Sequence, residues 1–262
     1  MTRYRITVEY DGRPFVGWQV QGEAPTVQAS LVRAIHRLSG EIVIVRGAGR
    51  TDSGVHALGQ VAHFDLPRPR DPFRIREALN FHLRPDPVAV LDCTEAPTDF
   101  DARFSATARH YLYRILARRA PPALDIGRVW WLPMTLDVDA MVEGARNLVG
   151  RHDFTTFRAA ACQADSAVRT LDRLEISRVG EEIHVNASAR SFLHNQVRSM
   201  VGSLKQVATG QWRPREIADA LAARDRARCG VVAPPDGLYL ARVDYGAVPA
   251  CVSETNGDVS DT

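Results

Sequence analysis

Thr2-Arg3-Tyr4-Arg5-Ile6-Thr7-Val8-Glu9-Tyr10 sets the fold class. Tyr4, Ile6, Val8 and Tyr10 alternate with Arg5, Thr7 and Glu9, the period of a strand with one buried face. Beyond it, Val27, Leu31, Ala34, Ile35 and Leu38 recur at helical spacing. Thr26 stands where an N-cap belongs, and Gly40 lies just past the end. Ile42 to Val45 and Val61 to Leu66 read as strands, separated by Gly-rich irregular chain from Gly47 to Gly59. Asp71-Pro72 opens a second helix that reaches Leu83, and Val88 to Leu91 adds a strand. The order β-α-β-β-α-β is that of a ferredoxin-like, split βαβ unit.

A similar order recurs without a letter-for-letter repeat. His110 to Leu116 predicts a strand and Val138 to Val149 a helix. Val168 to Ser177 and Glu182 to Ala189 form a hairpin turning at Val179-Gly180. Phe192 to Ala208 predicts a long helix, Pro214 to Arg224 a short one, and Leu238 to Tyr245 a last strand. The fold class is therefore α+β: two ferredoxin-like or RRM-like halves joined into one extended, mainly antiparallel sheet, with helices packed on one side. The open face is the expected ligand surface. The halves are placed at 1–106 and 107–248, with 249–262 a disordered tail.

A hydrophobic share of 45% and a charged share of 24% are ordinary for a globular protein. No apolar run is long enough to suggest a membrane span, and the N-terminus runs straight into a strand pattern with no signal peptide. Cys93, Cys162, Cys229 and Cys251 are scattered, with neither a CxxC pair nor metal-ligand spacing. They read as reduced thiols, and the protein as cytoplasmic. Net charge is only +2, but 249–262 carries Glu254, Asp258 and Asp261 and no basic residue; without it, 33 basic residues face 28 acids. Lys205 is the only lysine. Arginine suits planar contacts with phosphates and bases, but a codon bias is the simpler account of the excess. The composition permits RNA binding and does not establish it.

The chemistry concentrates in Gly47-Ala48-Gly49-Arg50-Thr51-Asp52-Ser53-Gly54-Val55-His56-Ala57. Three glycines free the backbone for unusual turns and close approach to a bulky ligand, and a carboxylate lies near a guanidinium. A solvated turn capped by Thr51 and Asp52 fits the same pattern. The glycines match neither a dinucleotide fingerprint nor a P-loop. There is no HxH, HExxH or His/Cys cluster, so no metal site is expected. His56 and His194 read as hydrogen-bonded structural residues.

Arg50-Thr51-Asp52-Ser53-Gly54-Val55-His56-Ala57 resembles the signature of the TruA family of tRNA pseudouridine synthases. Further pieces similar to that family follow in order over most of the chain. They are Tyr10-Asp11-Gly12 with Phe15-Val16-Gly17-Trp18-Gln19; Thr26-Val27-Gln28; Phe100-Asp101-Ala102-Arg103-Phe104-Ser105-Ala106; Tyr111-Leu112-Tyr113; Phe192-Leu193-His194-Asn195-Gln196-Val197-Arg198; and Gly237-Leu238-Tyr239-Leu240. Two positions depart mildly: Ser53, where alanine is commoner, and Gln196, where an apolar residue is commoner.

The resemblance implies an isomerase, an intramolecular transferase that converts uridine to pseudouridine at positions 38, 39 and 40 of the tRNA anticodon stem-loop. It implies base flipping, no cofactor, tRNA as partner, no membrane and a homodimer. Asp52 matches the family's catalytic aspartate, and Arg198 the basic residue paired with it. By spacing alone, Arg198 reads as a solvated position on an amphipathic helix with Leu193, Val197, Val201 and Leu204; only the resemblance assigns it to the site. Tyr111 matches the tyrosine that packs on the target uracil; it and Tyr113 point the same way along a strand, so one can be core and the other site. Arg50 matches the arginine that fills the gap left by the extruded nucleotide. Leu240 falls where the family sets an apolar residue against the site, a position that strand core explains equally well. An RNA-binding protein without catalysis, and a hydrolase working with a second carboxylate, are the alternatives from other classes.

Overall fold

In the computed structural model, which describes residues 1–246, the alternating opening stretch is strand β1 (Thr2–Tyr10). The tail 249–262, expected to be disordered, lies outside those residues. β1 pairs antiparallel with β3 (His56–Leu66) on one side and β4 (Val88–Ala96) on the other. Tyr4, Ile6 and Val8 are fully buried, together with Phe64 of β3 and Leu31 and Ile35 of helix α1 (Val27–Ser39). Each such side chain taken from water contributes about 1.5–3 kcal/mol. α1 starts at Thr26, whose hydroxyl accepts from the Ala29 N–H, and ends at Gly40 with φ 75°. Helix α2 (Pro72–Leu83) starts at Asp71, whose carboxylate accepts from the Phe73 N–H. These caps satisfy amides that the helices themselves leave free.

Two expectations about the first half need correction. Ile42 to Val45 is not a strand: the ladder of β2 covers only Arg46–Gly47, opposite His63 and Ala62. Continued in that register, Val45, Ile44 and Val43 would lie opposite Phe64, Asp65 and Leu66, the last three residues of β3, beyond which Pro67 has no N–H to donate. β10 (Leu238–Tyr245) takes the same edge further along, at His56 and Ala57. Ile42 and Ile44 are left 90% and 72% exposed. The irregular Gly-rich chain is also shorter than expected, because β3 begins at His56 and Gly59 lies inside it. A Cβ at Gly59 would sit 2.6 Å from the Ala241 carbonyl, so glycine lets β10 approach there.

In the second half, β5 (Ala106–Ala117) pairs with β9 (Glu182–Ala189), which forms the expected hairpin with β8 (Val168–Val179) through Gly180 at φ 62°. Two short strands were not foreseen, β6 (Trp130–Leu132) beside β5 and β7 (Gly150–Asp153) beside β8. Helix α3 (Val138–Arg146) stops before Asn147. Helix α4 (Gln196–Ala208) starts four residues later than expected, after Asn195 in the left-handed region at φ 61°. Helix α5 (Arg215–Ala223) follows. The strand order is β4-β1-β3-β10-β5-β9-β8-β7, so the last described strand is wedged between the halves. It runs parallel to β3 and antiparallel to β5. The result is a ten-stranded, mostly antiparallel sheet with an α+β class as expected. No helix among the described residues is long and apolar enough to cross a membrane.

Register fixes which face carries what. Tyr111 opposes Ala187 and Leu240, Tyr113 opposes Val185 and Leu238, and Leu240 opposes Ala57, which in turn faces Tyr10. Directly paired residues share a face. The face that buries α1 and α4 therefore also presents Tyr111. The cleft that Tyr111 lines opens on this helix-bearing face of the sheet, whereas the open face was the expected ligand surface.

Candidate active site

The segment 47–55 is built against 12–18, which explains the spacing of the Tyr10–Gln19 pieces. Trp18 N–H donates to the Thr51 carbonyl at 3.0 Å, and Gly54 N–H to the Phe15 carbonyl at 3.3 Å. The Tyr10 and Thr51 hydroxyls share a 2.8 Å hydrogen bond. Gly17 has φ 113°, and a Cβ on it would lie 2.7 Å from the Thr51 carbonyl oxygen. On the other flank, Gln60 Nε2 donates to the Gly49 carbonyl at 2.7 Å. The buried Arg109 donates to the Ala48 carbonyl from Nε at 3.1 Å and from Nη2 at 2.7 Å. His56, just past the loop, is structural as expected: it is buried, its Nδ1 accepts from the Gly12 N–H at 3.0 Å, and its Nε2 donates to the Gly127 carbonyl at 3.1 Å.

This scaffold holds Asp52 in a cleft of about 970 Å3 whose lining also includes Arg50, Arg109, Tyr111, His194 and Arg198. Arg198 Nη1 lies 3.4 Å from Asp52 Oδ2, and His194 Nε2 lies 3.3 Å from Asp52 Oδ1. The Asp52 side chain remains 32% exposed. Arg198 is anchored independently, by Nε to the Ala233 carbonyl at 2.7 Å and by Nη1 to Asn195 Oδ1 at 3.0 Å. It leaves α4 from the first turn toward the loop and is not a solvated helix position.

Tyr111 and Tyr113 divide as their shared direction allows. Tyr113 is core, its hydroxyl donating to the Pro234 carbonyl at 2.7 Å. Tyr111 lines the cleft, with Phe192 edge-on to its ring at 5.1 Å. Burial, with Asp52 acting the same way, pushes the Tyr111 hydroxyl up to about 12 against the pull of Arg109, so the phenol stays neutral. Arg50 is exposed on the loop and makes no hydrogen bond or ion pair to a described residue. Leu240 does not line the cleft; fully buried, it backs Tyr111 from the next strand, and Leu238 lines the cleft in its place.

Sequence reasoning missed two residues. Arg109 shares the inward face of β5 with Tyr111 and Tyr113, and an arginine in that alternation was a legible signal. His194, expected to be a hydrogen-bonded structural residue, makes no hydrogen bond from its ring to a described residue and sets Nε2 3.3 Å from Asp52 Oδ1; that contact depends on a turn between distant segments, which spacing does not show. The two departures have local explanations. Ser53 points its hydroxyl at the Phe15 carbonyl, 3.4 Å away. Gln196 is buried, and its Oε1 accepts from the Leu193 N–H at 2.9 Å, tightening the turn that presents His194.

Fold and cleft together set one carboxylate between an arginine and a histidine in a cleft that a tyrosine ring also lines. The chain belongs to the tRNA pseudouridine synthase family, whose model matches residues 6–105 and 145–246. It is accordingly an isomerase. It is 60% identical over 245 residues to tRNA pseudouridine synthase A of Maricaulis maris (strain MCS10), covering 94% of this chain and 98% of that one. It is also 60% identical over 247 residues to the protein of that name in Rhizobium meliloti (strain 1021), covering 94% of this chain and 100% of the other. Among solved structures, one titled "Crystal Structure of a Cbf5-Nop10-Gar1 Complex" is matched with a TM-score of 0.33 and 11% identity, over 90% of this chain and 57% of that one. That likeness is too slight to carry an argument.

Proposed function

We propose that the protein converts uridine to pseudouridine at positions 38, 39 and 40 of the tRNA anticodon stem-loop, with Asp52 as the catalytic carboxylate. The observation that carries the reading is Asp52 held in the cleft with Arg198 on one oxygen, beside the neutral ring of Tyr111. The reaction breaks the bond from ribose C1′ to uracil N1, turns the base and joins C1′ to C5. It is redox-neutral and consumes nothing, so it calls for no cofactor. An ionised carboxylate serves it either by attacking the nucleoside or by taking the ribose 2′ proton. Arg198 offsets the desolvation that the carboxylate meets when a base seals the cleft.

A uridine in a stem must leave its stack to expose C1′, at a cost of a few kcal/mol. Stacking on Tyr111 returns roughly 1–3 kcal/mol. Arg50, free at the rim, fills the vacated place, and Leu240 holds Tyr111 from behind. The working form is a cytoplasmic homodimer that spreads one tRNA over both subunits.

The test is chemical mapping of pseudouridine on an unmodified tRNA transcript incubated with wild-type, Asp52→Asn or Asp52→Ala protein. Wild type gives signals in the anticodon arm. Both variants bind the transcript and give none. Pseudouridine made by either variant would refute the assignment, and release of free uracil by wild type would indicate a hydrolase.

A further inference from the structure

The isomerisation moves a proton as well as a base, and the geometry points to His194 as the group that accepts it from C5. This inference rests on the role given to Asp52. Once C1′ is joined to C5, that carbon is tetrahedral and still holds its hydrogen, while C6 and N1 share the double bond. The C5–H bond then breaks, and its electron pair restores C5=C6. The C6=N1 π pair moves to N1, which takes up a proton. One proton leaves and one arrives, nothing is oxidised or reduced, and the step needs only an acceptor beside C5.

The other groups around the cleft are poor acceptors. Tyr111 is a neutral phenol, pushed up to about 12 by burial. Asp101 also lines the cleft. Burial draws its carboxyl upward, but the N–H groups of Phe104 and Arg103 more than offset this and hold it below the usual carboxylate range. Both donate to its Oδ1, at 3.0 and 2.8 Å, and Arg46 faces its Oδ2 at 3.7 Å. Asp52 is engaged with the ribose.

His194 is the only histidine among the described residues lining the cleft. Its side chain is 44% exposed, and its Nε2 is 3.3 Å from Asp52 Oδ1. Its ring makes no hydrogen bond to the described residues, whereas Arg198 is tied at three points. Of the two groups flanking the carboxylate, the imidazole is thus the one free to swing toward the base. Imidazole is also the side chain suited to taking and returning a proton at neutral pH. The backbone beneath it is fixed. The His194 carbonyl accepts from the Ala159 N–H at 2.9 Å, and Asn195 is held at φ 61°, a conformation uncommon for a residue other than glycine. Strain of that kind persists where the surroundings impose it, and it gathers at functional sites.

The experiment is single turnover on two tRNA transcripts, one with ordinary uridine and one with deuterium at uridine C5. His194→Gln keeps a polar group near Asp52 but accepts no proton. The expected result is a slowing of about a hundredfold or more, with a deuterium effect that grows severalfold over wild type because proton removal has become limiting. His194→Ala behaves alike and recovers rate on addition of free imidazole. A normal rate in His194→Gln would overturn the role, as would a slow rate with an unchanged isotope effect or an absence of imidazole rescue. Asp52→Ala runs alongside: activity there sinks the reading of the site itself, whereas an inactive Asp52→Ala beside an isotope-insensitive His194→Gln sinks only the histidine's part.

Discussion

Arg198 reaches Asp52 because its guanidinium is already fixed on two other sides, by the Ala233 carbonyl and by Asn195. A lysine keeps the charge but not the planar fork that serves three acceptors together. One charge-assisted hydrogen bond is worth about 1.5–3 kcal/mol, or about ten- to a hundredfold in rate. Arg198→Lys should therefore lose about that much in single-turnover pseudouridine formation with little change in tRNA affinity, measured by filter binding beside the rate assay. A loss confined to affinity would mean that Arg198 holds the RNA and not the carboxylate. Asp52, Arg50, Tyr111 and Arg198 were all legible in the sequence, but through ordered motifs and not through spacing. Spacing alone leaves Asp52 a turn residue and Arg198 a helix surface residue, because 146 positions separate the two. His194 stayed hidden for the same reason: a contact made by folding leaves no local periodicity.

At the scale of elements, sequence and structure agree wherever local chemistry decides and part wherever a neighbour decides. The caps Thr26, Gly40 and Asp71 bound their helices as read, since a cap is satisfied by its own backbone. Ile42 to Val45 has the composition of a strand but would meet only the last three residues of β3, ahead of Pro67. Phe192 to Asn195 has the composition of a helix but is drawn into the turn that delivers His194 and Arg198. Gly17 shows the same dependence in one residue. At φ 113°, with the Thr51 carbonyl 2.7 Å from where a Cβ would sit, alanine must displace the backbone next to Asp52. Gly40, at φ 75°, has open space. Both substitutions to alanine should lower stability, by about 1–3 kcal/mol for Gly17→Ala and about 1 kcal/mol for Gly40→Ala, and so lower the melting temperature. Only Gly17→Ala should also cut turnover, as differential scanning fluorimetry paired with the rate assay would show. Equal turnover in the two would mean that the 12–18 segment does not position Asp52.

At the scale of the whole molecule, the arrangement of charge matters more than its sum. The cleft is lined by Arg46, Arg50, Arg103, Arg109, Arg169 and Arg198 against Asp52 and Asp101. Away from the cleft, Arg3, on the opposite face of the sheet, is held by both oxygens of Asp65. An RNA backbone meeting the cleft rim releases counterions at each guanidinium it covers, so the logarithm of the binding constant falls linearly with the logarithm of salt concentration. Each phosphate contact adds about 0.7–0.9 to the magnitude of that slope. Arg50 and Arg103 are without a carboxylate partner among the described residues and are therefore the rim groups with charge to give. Arg50→Gln and Arg103→Gln should each flatten the slope for tRNA by about one contact, while Arg3→Gln, already neutralised by Asp65, should leave it unchanged. Fluorescence anisotropy across a salt titration measures all three. If Arg3→Gln flattens the slope as much as the rim variants, the RNA lies on the bare face of the sheet, and the cleft face is not where the tRNA backbone runs.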